Sequence, residues 1–286
     1  MKSLTRIKNL VLSVAVLGIA SGCSVISPSN TTKFEVGDDF VKTYDQVSPE
    51  EENVIGRAVS AKILGKYKIY NNTELNNYLA KLGSILAAAS DRPDPFTGYS
   101  FVVLDTDEIN AMAAPGGYIF ITKGLLSKVK DEDSLASVIA HEISHVVKRH
   151  GIQSINPKNF GTFIEAGGVL LSAIDCSGLS GQIALAFSKA VSDVLDALLV
   201  SGYSKEQEYE ADQMALQILH KAGYKSSSIK QVLNELSSSK VKAGGWFSTH
   251  PTPEDRLSHL ISHINDNKNS EPGFGARKSR FLKLVK

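Results

Sequence analysis

SLASVIAHEISHVVKRHG, Ser134–Gly151, places two histidines four residues apart inside an apolar helical pattern, with a glutamate directly after the first. Positions four apart lie on one helix face, one turn apart. Leu135, Val138, Ile139, Ile143 and Val146 are the apolar neighbours that bury such a helix, and buried polar groups are costly unless something satisfies them. A metal ion satisfies His141 and His145 together, because each can aim an imidazole nitrogen at one zinc ion about 2.0–2.1 Å away. Glu142 sits about 100° further around the helix, beside the metal without binding it, where it can hold a water. Two ligands plus a general base is the logic of HExxH. A second pair, His259 and His263 in "HLISH", has the spacing without the glutamate and reads as a solvated helix face. His150 reads as the end of the helix that begins at Asp131, where a cation suits the dipole. His220 reads similarly near the end of a later helix, and both read as structural.

A catalytic zinc takes three protein ligands and keeps an open position, so the third must come from elsewhere. "SKEQEYEADQMALQILHKAG" opens with a capping box of Ser204 and Gln207. In it Glu208 and Asp212 fall four apart on one face, and Ala211 and Ala215 are small enough for close helix approach. Glu208 can reach zinc while Asp212 orients a ligating histidine through its other ring nitrogen. The run of Glu206, Glu208, Glu210 and Asp212 leaves the choice of ligand open on spacing alone.

The 286 residues suffice for one large domain or two small ones and carry a formal charge of +1. Residues 1–22 hold Lys2, Arg6 and Lys8 and no acid, and without them the charge becomes −2. Nothing in that balance points to nucleic acid. The basic "MKSLTRIKN", the apolar "LVLSVAVLGIA" and the small residues of "ASGC" together form an export signal, too short to be a good membrane span. The final Cys23 resembles the lipidated cysteine of a bacterial lipobox, with Ala20 where Leu is commoner; a plain secretory cut near Ala20 or Gly22 is the other reading. With Ser24 after the cysteine, the lipoprotein sorting rule implies the outer membrane, facing the periplasm. Cys23 and Cys176 are the only cysteines, so a disulfide framework is excluded if Cys23 carries lipid, and Cys176 reads as a bystander.

The polar, turn-rich stretch after Cys23 reads as a tether, giving a signal over 1–22, a lipidated tether over 23–47, a domain over 48–266 and a basic tail over 267–286. Ser48, Pro49 and Glu51 predict a capped helix start. Leu75, Tyr78, Leu79, Leu82, Ile85 and Leu86 form a helical stripe. "YSFVVLD" reads as a strand, and "INAMA" and "YIFIT" as extended runs joined by a Pro115-Gly116-Gly117 turn. The apolar segments "FIEAGGVLLSAI" and "QIALAFSKAVSDVLDALLV" are broken by charges and read as amphipathic helices on or near the site rather than membrane spans. The tail "GFGARKSRFLKLVK" reads as solvated and poorly ordered.

"INAMAAPGGYIFITKGLL", "SLASVIAHEISHVVKRHG", "EQEYEADQMAL" and "STHPTPEDRL" occur in the order found in the zinc metallopeptidases that include the HtpX-type heat-shock proteases and the CAAX prenyl proteases. The chain resembles most their periplasmic lipoprotein branch of BepA- and LoiP-like proteins. The resemblance implies an α+β fold, a mainly helical zincin domain of the gluzincin type, with a small sheet whose edge strand precedes the HExxH helix. It assigns the third ligand to Glu208, the glutamate of E-x-x-A-D, and places His250 and Arg256 at the active site, where they would donate to the developing oxyanion; His250 would also serve as a resting fourth ligand. The expected cofactor is one Zn2+ per chain. A substrate peptide would lie extended beside Asn110, Ala111, Met112, Ala113 and Ala114, which favours unfolded polypeptides. The chain lacks clean membrane helices and has little sequence after "HPTPEDRL", so prenyl processing is not expected and a LoiP-like architecture fits better. The implied function is a cell-envelope endopeptidase that clears unfolded or misassembled outer-membrane proteins, with membrane attachment through Cys23 and outer-membrane assembly proteins as possible partners. The alternatives are an envelope chaperone or assembly lipoprotein with structural zinc, against which Glu142 argues, and an amidase of cell-wall peptides.

Overall fold

A computed structural model describes residues 44, 47–160, 181–238, 249–262, 264 and 273–285. The export signal, Cys23, "FIEAGGVLLSAI", Cys176, the Gly244-Gly245 pair and His263 lie outside the described residues.

The chain enters at helix α1 (Pro49–Lys66), where Ser48 Oγ accepts from the Glu51 N–H and Glu51 returns the bond to the Ser48 N–H. Helix α2 (Thr73–Ala88) buries Leu75, Tyr78, Leu79, Leu82 and Leu86 as their spacing predicts, while Ile85 stays exposed. Three strands follow: β1 (Ser100–Leu104), β2 (Ala111–Ala114) and β3 (Tyr118–Thr122). The sheet order is β1-β3-β2, with β1 parallel and β2 antiparallel to β3. The tight β2–β3 turn permits the antiparallel pair, while the parallel pair needs the longer connection between β1 and β3. Strand β2 is thus an edge strand.

Alternation along the strands divides the core in two. Phe101, Val103, Ala111, Ala113, Ile119 and Ile121 face one cluster, shared with α2 and helix α4 (Glu132–Val147). Leu104, Met112, Ala114 and Phe120 face the other, shared with α1 and helix α6 (Gly181–Asp196). Both faces of the sheet are therefore covered. Helix α6 continues into a π-helical turn, Ala197–Ser201, so the second of the two apolar segments does pack beside the sheet.

Helix α1 approaches the β2–β3 turn so closely that a Cβ on Gly56 would run into the Pro115 carbonyl. The sequence pattern gave no hint of this contact. Gly56→Ala is expected to cost about 1–3 kcal/mol, the range for overpacking, read as a lowered denaturation midpoint. An unchanged midpoint would show that the turn can retreat freely.

Helix α4 is the centre of the molecule: every residue from Glu132 to Val146 is buried. Short helix α3 (Lys123–Lys128) precedes it, and α7 (Lys205–Lys221), α8 (Ser228–Ser238) and α9 (Pro253–Leu260) pack around it or one another. Two expectations fail here. The helix stops at Val147 rather than His150, because Arg149 takes a left-handed conformation (φ 58°) and His150 opens a separate short helix, α5 (His150–Gln153). The described part of the basic tail is ordered rather than loose: it forms helix α10 (Phe274–Val285), largely exposed but anchored by the fully buried Phe281. The reason is charge complementarity. Arg277 donates to both Asp133 oxygens at 2.7 and 3.0 Å, and Arg280 clamps the buried Glu132 carboxylate, which also accepts from Tyr78 and Tyr224. Two acids suit the N-terminus of α4, but buried there they require cations, and α10 brings them.

Candidate metal centre

His141 and His145 project from α4 with their Nε2 atoms 3.1 Å apart. Helix α7 crosses α4 and lays Glu208 against both, its oxygens 3.4 Å from His141 Nε2 and 3.5 Å from His145 Nε2. The capping box of Ser204 and Gln207 fixes where α7 begins, as its sequence predicts. Ahead of α9, His250 turns its Nδ1 onto Glu208 at 2.9 and 3.0 Å. One donor atom from each of His141, His145, Glu208 and His250 lies within 4.8 Å of the others, and all four residues are buried. Gly202 makes the approach of the His250 segment possible: its φ is +74°, and a Cβ there would strike the Thr249 carbonyl.

The electrostatics fit a cation. Burial pushes His145 well down and His250 down, the direction that favours the neutral, ligating form of each ring. Burial opposes charge on Glu208, but His250 and His141 outweigh it and hold the carboxylate well below the usual range. Burial and Arg256 oppose charge on His141, yet Asp212 and Glu208 prevail and raise it to about 9. The cluster therefore gathers a positive charge, which a divalent metal supplies better than a proton. Three imidazoles and a carboxylate are a donor set suited to zinc.

Glu142 shares a cavity with Ala111, Met112, Ala197, Leu198, Tyr203, Thr249 and His250. Its Oε1 is buried and bonds to no described protein group. Burial is the main cause that raises its pKa to about 7, with Glu208 adding to it and His141 and Arg256 opposing. A carboxyl near neutrality can both accept and return a proton. The cavity has room for about 10 Å³, close to a single water. The edge strand meets this cavity through Ala111 and Met112, while Asn110 bonds its own side chain to the Ala111 N–H at 2.9 Å. All of Ala111–Ala114 are buried, so the outer edge is covered in this conformation.

Arg256 reaches the centre through Asp212. Its guanidinium, fully buried, donates through Nε and Nη2 to the two oxygens of Asp212, the former at 2.9 Å. Asp212 Oδ1 lies 3.0 Å from His141 Nδ1. Asp212 therefore sits where it can hold His141, and Arg256 bonds Asp212 while its Nη2 also lies 3.2 Å from His141 Nδ1. His259 is no solvated face either: it stacks on Tyr209 at 4.2 Å and bonds Gln213.

Two residues near the centre escaped the sequence reading. Tyr203 stacks on His145 with ring centroids 4.6 Å apart. His150, taken for a helix end, is fully buried with Nδ1 2.8 Å from His145 Nδ1, while its Nε2 lies 3.3 Å from Glu210 Oε2. Only the third histidine of "HEISHVVKRH" could have signalled this, and no periodicity singles it out.

A model of Peptidase family M48 matches residues 73–264. The chain is 27% identical over 265 residues to the beta-barrel assembly-enhancing protease of Escherichia coli, covering 90% of this chain and 52% of that protein. It is 31% identical over 163 residues to the mitochondrial metalloendopeptidase OMA1 of Bos taurus, covering 55% of this chain and 31% of that protein. It is 23% identical over 174 residues to the metalloprotease YcaL of Escherichia coli, covering 60% of this chain and 65% of that protein. The chain spans about half the length of the first curated relatives it matches.

Proposed function

This chain belongs to peptidase family M48, and from that premise we propose that it is a zinc-dependent metalloendopeptidase of the bacterial cell envelope that removes unfolded or misassembled outer-membrane proteins. The observation that carries the chemistry is the buried cluster of His141, His145 and Glu208 beside the unbonded carboxylate of Glu142. The substrate class is supported by a relative whose name couples a protease to beta-barrel assembly. The envelope location is supported by the export signal and by Cys23, whose lipidation would tether the domain to the outer membrane facing the periplasm. No helix among the described residues is long and apolar enough to cross a membrane.

In this reading His141, His145 and Glu208 would hold one Zn2+. When bound, it polarises the scissile carbonyl and acidifies the attacking water. Glu142 takes the water proton and passes it to the leaving amine. Asp212, held by Arg256, keeps His141 in the tautomer that leaves Nε2 free to ligate. An extended substrate pairs with β2 at Asn110–Ala114 once the covering segment Ala197–Tyr203 has moved aside. His250 could serve as a fourth ligand at rest and, turned away from the metal position, would be placed to donate to the developing oxyanion.

The deciding experiment is metal analysis of the purified chain with a casein-type digestion assay. One zinc per chain and chelator-sensitive digestion are expected; intact casein and metal-free protein would end the proposal. His250→Ala is expected to lower turnover about 10²–10³-fold, the usual loss for one oxyanion donor. Zinc content should stay near one per chain while zinc dissociates faster. Unchanged turnover together with an unchanged zinc off-rate would remove His250 from the mechanism.

A further inference from the structure

We propose that His150 is a positioning residue that sets the metal affinity of the centre by fixing the tautomer of His145, with Glu210 fixing His150 in turn. The inference rests on the reading of His145 as a metal ligand, and it concerns a residue to which that reading gives no part.

The argument starts from two facing nitrogens. His145 Nε2 points to His141 and Glu208, and its Nδ1 lies 2.8 Å from Nδ1 of His150. At that distance one of the two Nδ1 atoms carries the hydrogen and the other accepts it. If His145 carries it, Nε2 of the neutral ring keeps its lone pair and can bind metal. If His150 carries it, the hydrogen of neutral His145 sits on Nε2 and blocks ligation. The pair therefore has a ligating and a non-ligating arrangement, and passing from one to the other switches the tautomer of both neutral rings.

Glu210 breaks the tie. Its Oε2 lies 3.3 Å from His150 Nε2, and a carboxylate can only accept. It favours the His150 tautomer with hydrogen on Nε2, which leaves Nδ1 bare to accept from His145. The direction of the chain is thus His145 Nδ1–H to His150, and His150 Nε2–H to Glu210. Ligating histidines commonly give their second N–H to a carboxylate or carbonyl; here a second ring is interposed. The magnitudes differ along it. His150 is fully buried, so its bond to His145 is not replaced by water, whereas the Glu210 side chain is 53% exposed and its bond is long. The first link should dominate.

The backbone is built to place this ring. Arg149 adopts the left-handed conformation that turns the chain back after α4, an uncommon state for a side chain larger than glycine. It is held there by a bond from Nη2 to the Val47 carbonyl at 2.7 Å and by an ion pair from Nε to Glu52 at 3.0 Å. Without that reversal a continued helix would carry His150 round to a different face from His145.

The test is zinc affinity of the purified full chain, measured by competition with a chromophoric chelator, together with the visible spectrum of the cobalt-loaded protein. His150→Leu is expected to bind zinc about 10–100-fold more weakly and to shift the cobalt bands. His150→Asn should restore both to near the wild-type values, because its Oδ1 occupies the place of Nδ1 and accepts the same hydrogen. Glu210→Leu, on the surface and without risk to folding, should weaken zinc by about threefold, the share of a half-exposed bond, and Glu210→Gln should restore it. Zinc binding as tight as wild type in both leucine variants would overturn the inference while leaving the proposed protease intact. If His150→Leu does not fold, unchanged affinity in Glu210→Leu overturns it alone. A wild-type chain that binds no zinc overturns the proposed function and the inference with it.

Discussion

Glu142→Gln should retain its metal and lose cleavage by about 10²–10⁴-fold or more, the span ascribed to positioned acid–base groups. The substitution keeps the shape of the side chain and removes only the ability to accept a proton. Glu142 lies in the cavity with His250 and is not among the four clustered donors, so zinc content and affinity should stay close to those of the parent. The melting temperature should not fall, because burial already disfavours the charged form of this carboxyl and the neutral amide avoids that cost. The measurement is turnover on an unfolded protein substrate beside metal analysis of the same sample. Residual cleavage near the wild-type rate would remove Glu142 as the base. Loss of the metal would show that it holds the ion.

Arg256→Ala has the second large expected effect, on stability before activity. Arg256 and Asp212 are both fully buried and meet through two bonds. Removing one member of a buried pair strands the other charge, at about 3–5 kcal/mol. For a domain of this size each kcal/mol moves the melting temperature by about 2–4 °C, so a fall of about 6–20 °C is expected. Zinc affinity should fall as well, because Asp212 would no longer be held against His141 Nδ1. Adding Asp212→Asn should recover much of the stability by removing the stranded charge, without recovering metal affinity. A single variant that melts like the parent would mean that Asp212 finds another cation or takes up a proton at no cost.

The parts of the site that could be read from the sequence are those whose geometry is local. His141, Glu142 and His145 sit on one helix, and helix periodicity alone brings them together. Short apolar runs bounded by turn residues exposed the three strands, and the glycines between two of them marked the turn. Glu208 needed the family pattern, because four acids on one short stretch look alike until α4 lies across them. Arg256 was read in the right neighbourhood, but its pairing with Asp212, 44 residues away in sequence, shows only once α7 and α9 cross. His150 was misread because helical periodicity continues past Val147, and the reversal at Arg149 is set by Glu52 and Val47, about 100 residues earlier. The C-terminal helix was hidden for a similar reason. Its arginines look like solvent-facing charge until the buried acids at the start of α4 are known.

The cavity that holds Glu142 also sets an equilibrium. The cavity accommodates about one water, so under the proposed function a polypeptide would meet Glu142 only while Ala197–Tyr203 stood away from β2. Apparent affinity falls in proportion to that fraction, and an open population of about 1% weakens binding about a hundredfold. A chain that can lie flat as a new strand offsets this with a row of backbone hydrogen bonds, whereas a chain already paired within its own sheet cannot. On that reading the unequal ability to hold the site open would act as a selectivity filter. It would let such an enzyme stand beside folded envelope proteins without cutting them, with no sequence preference at the scissile bond.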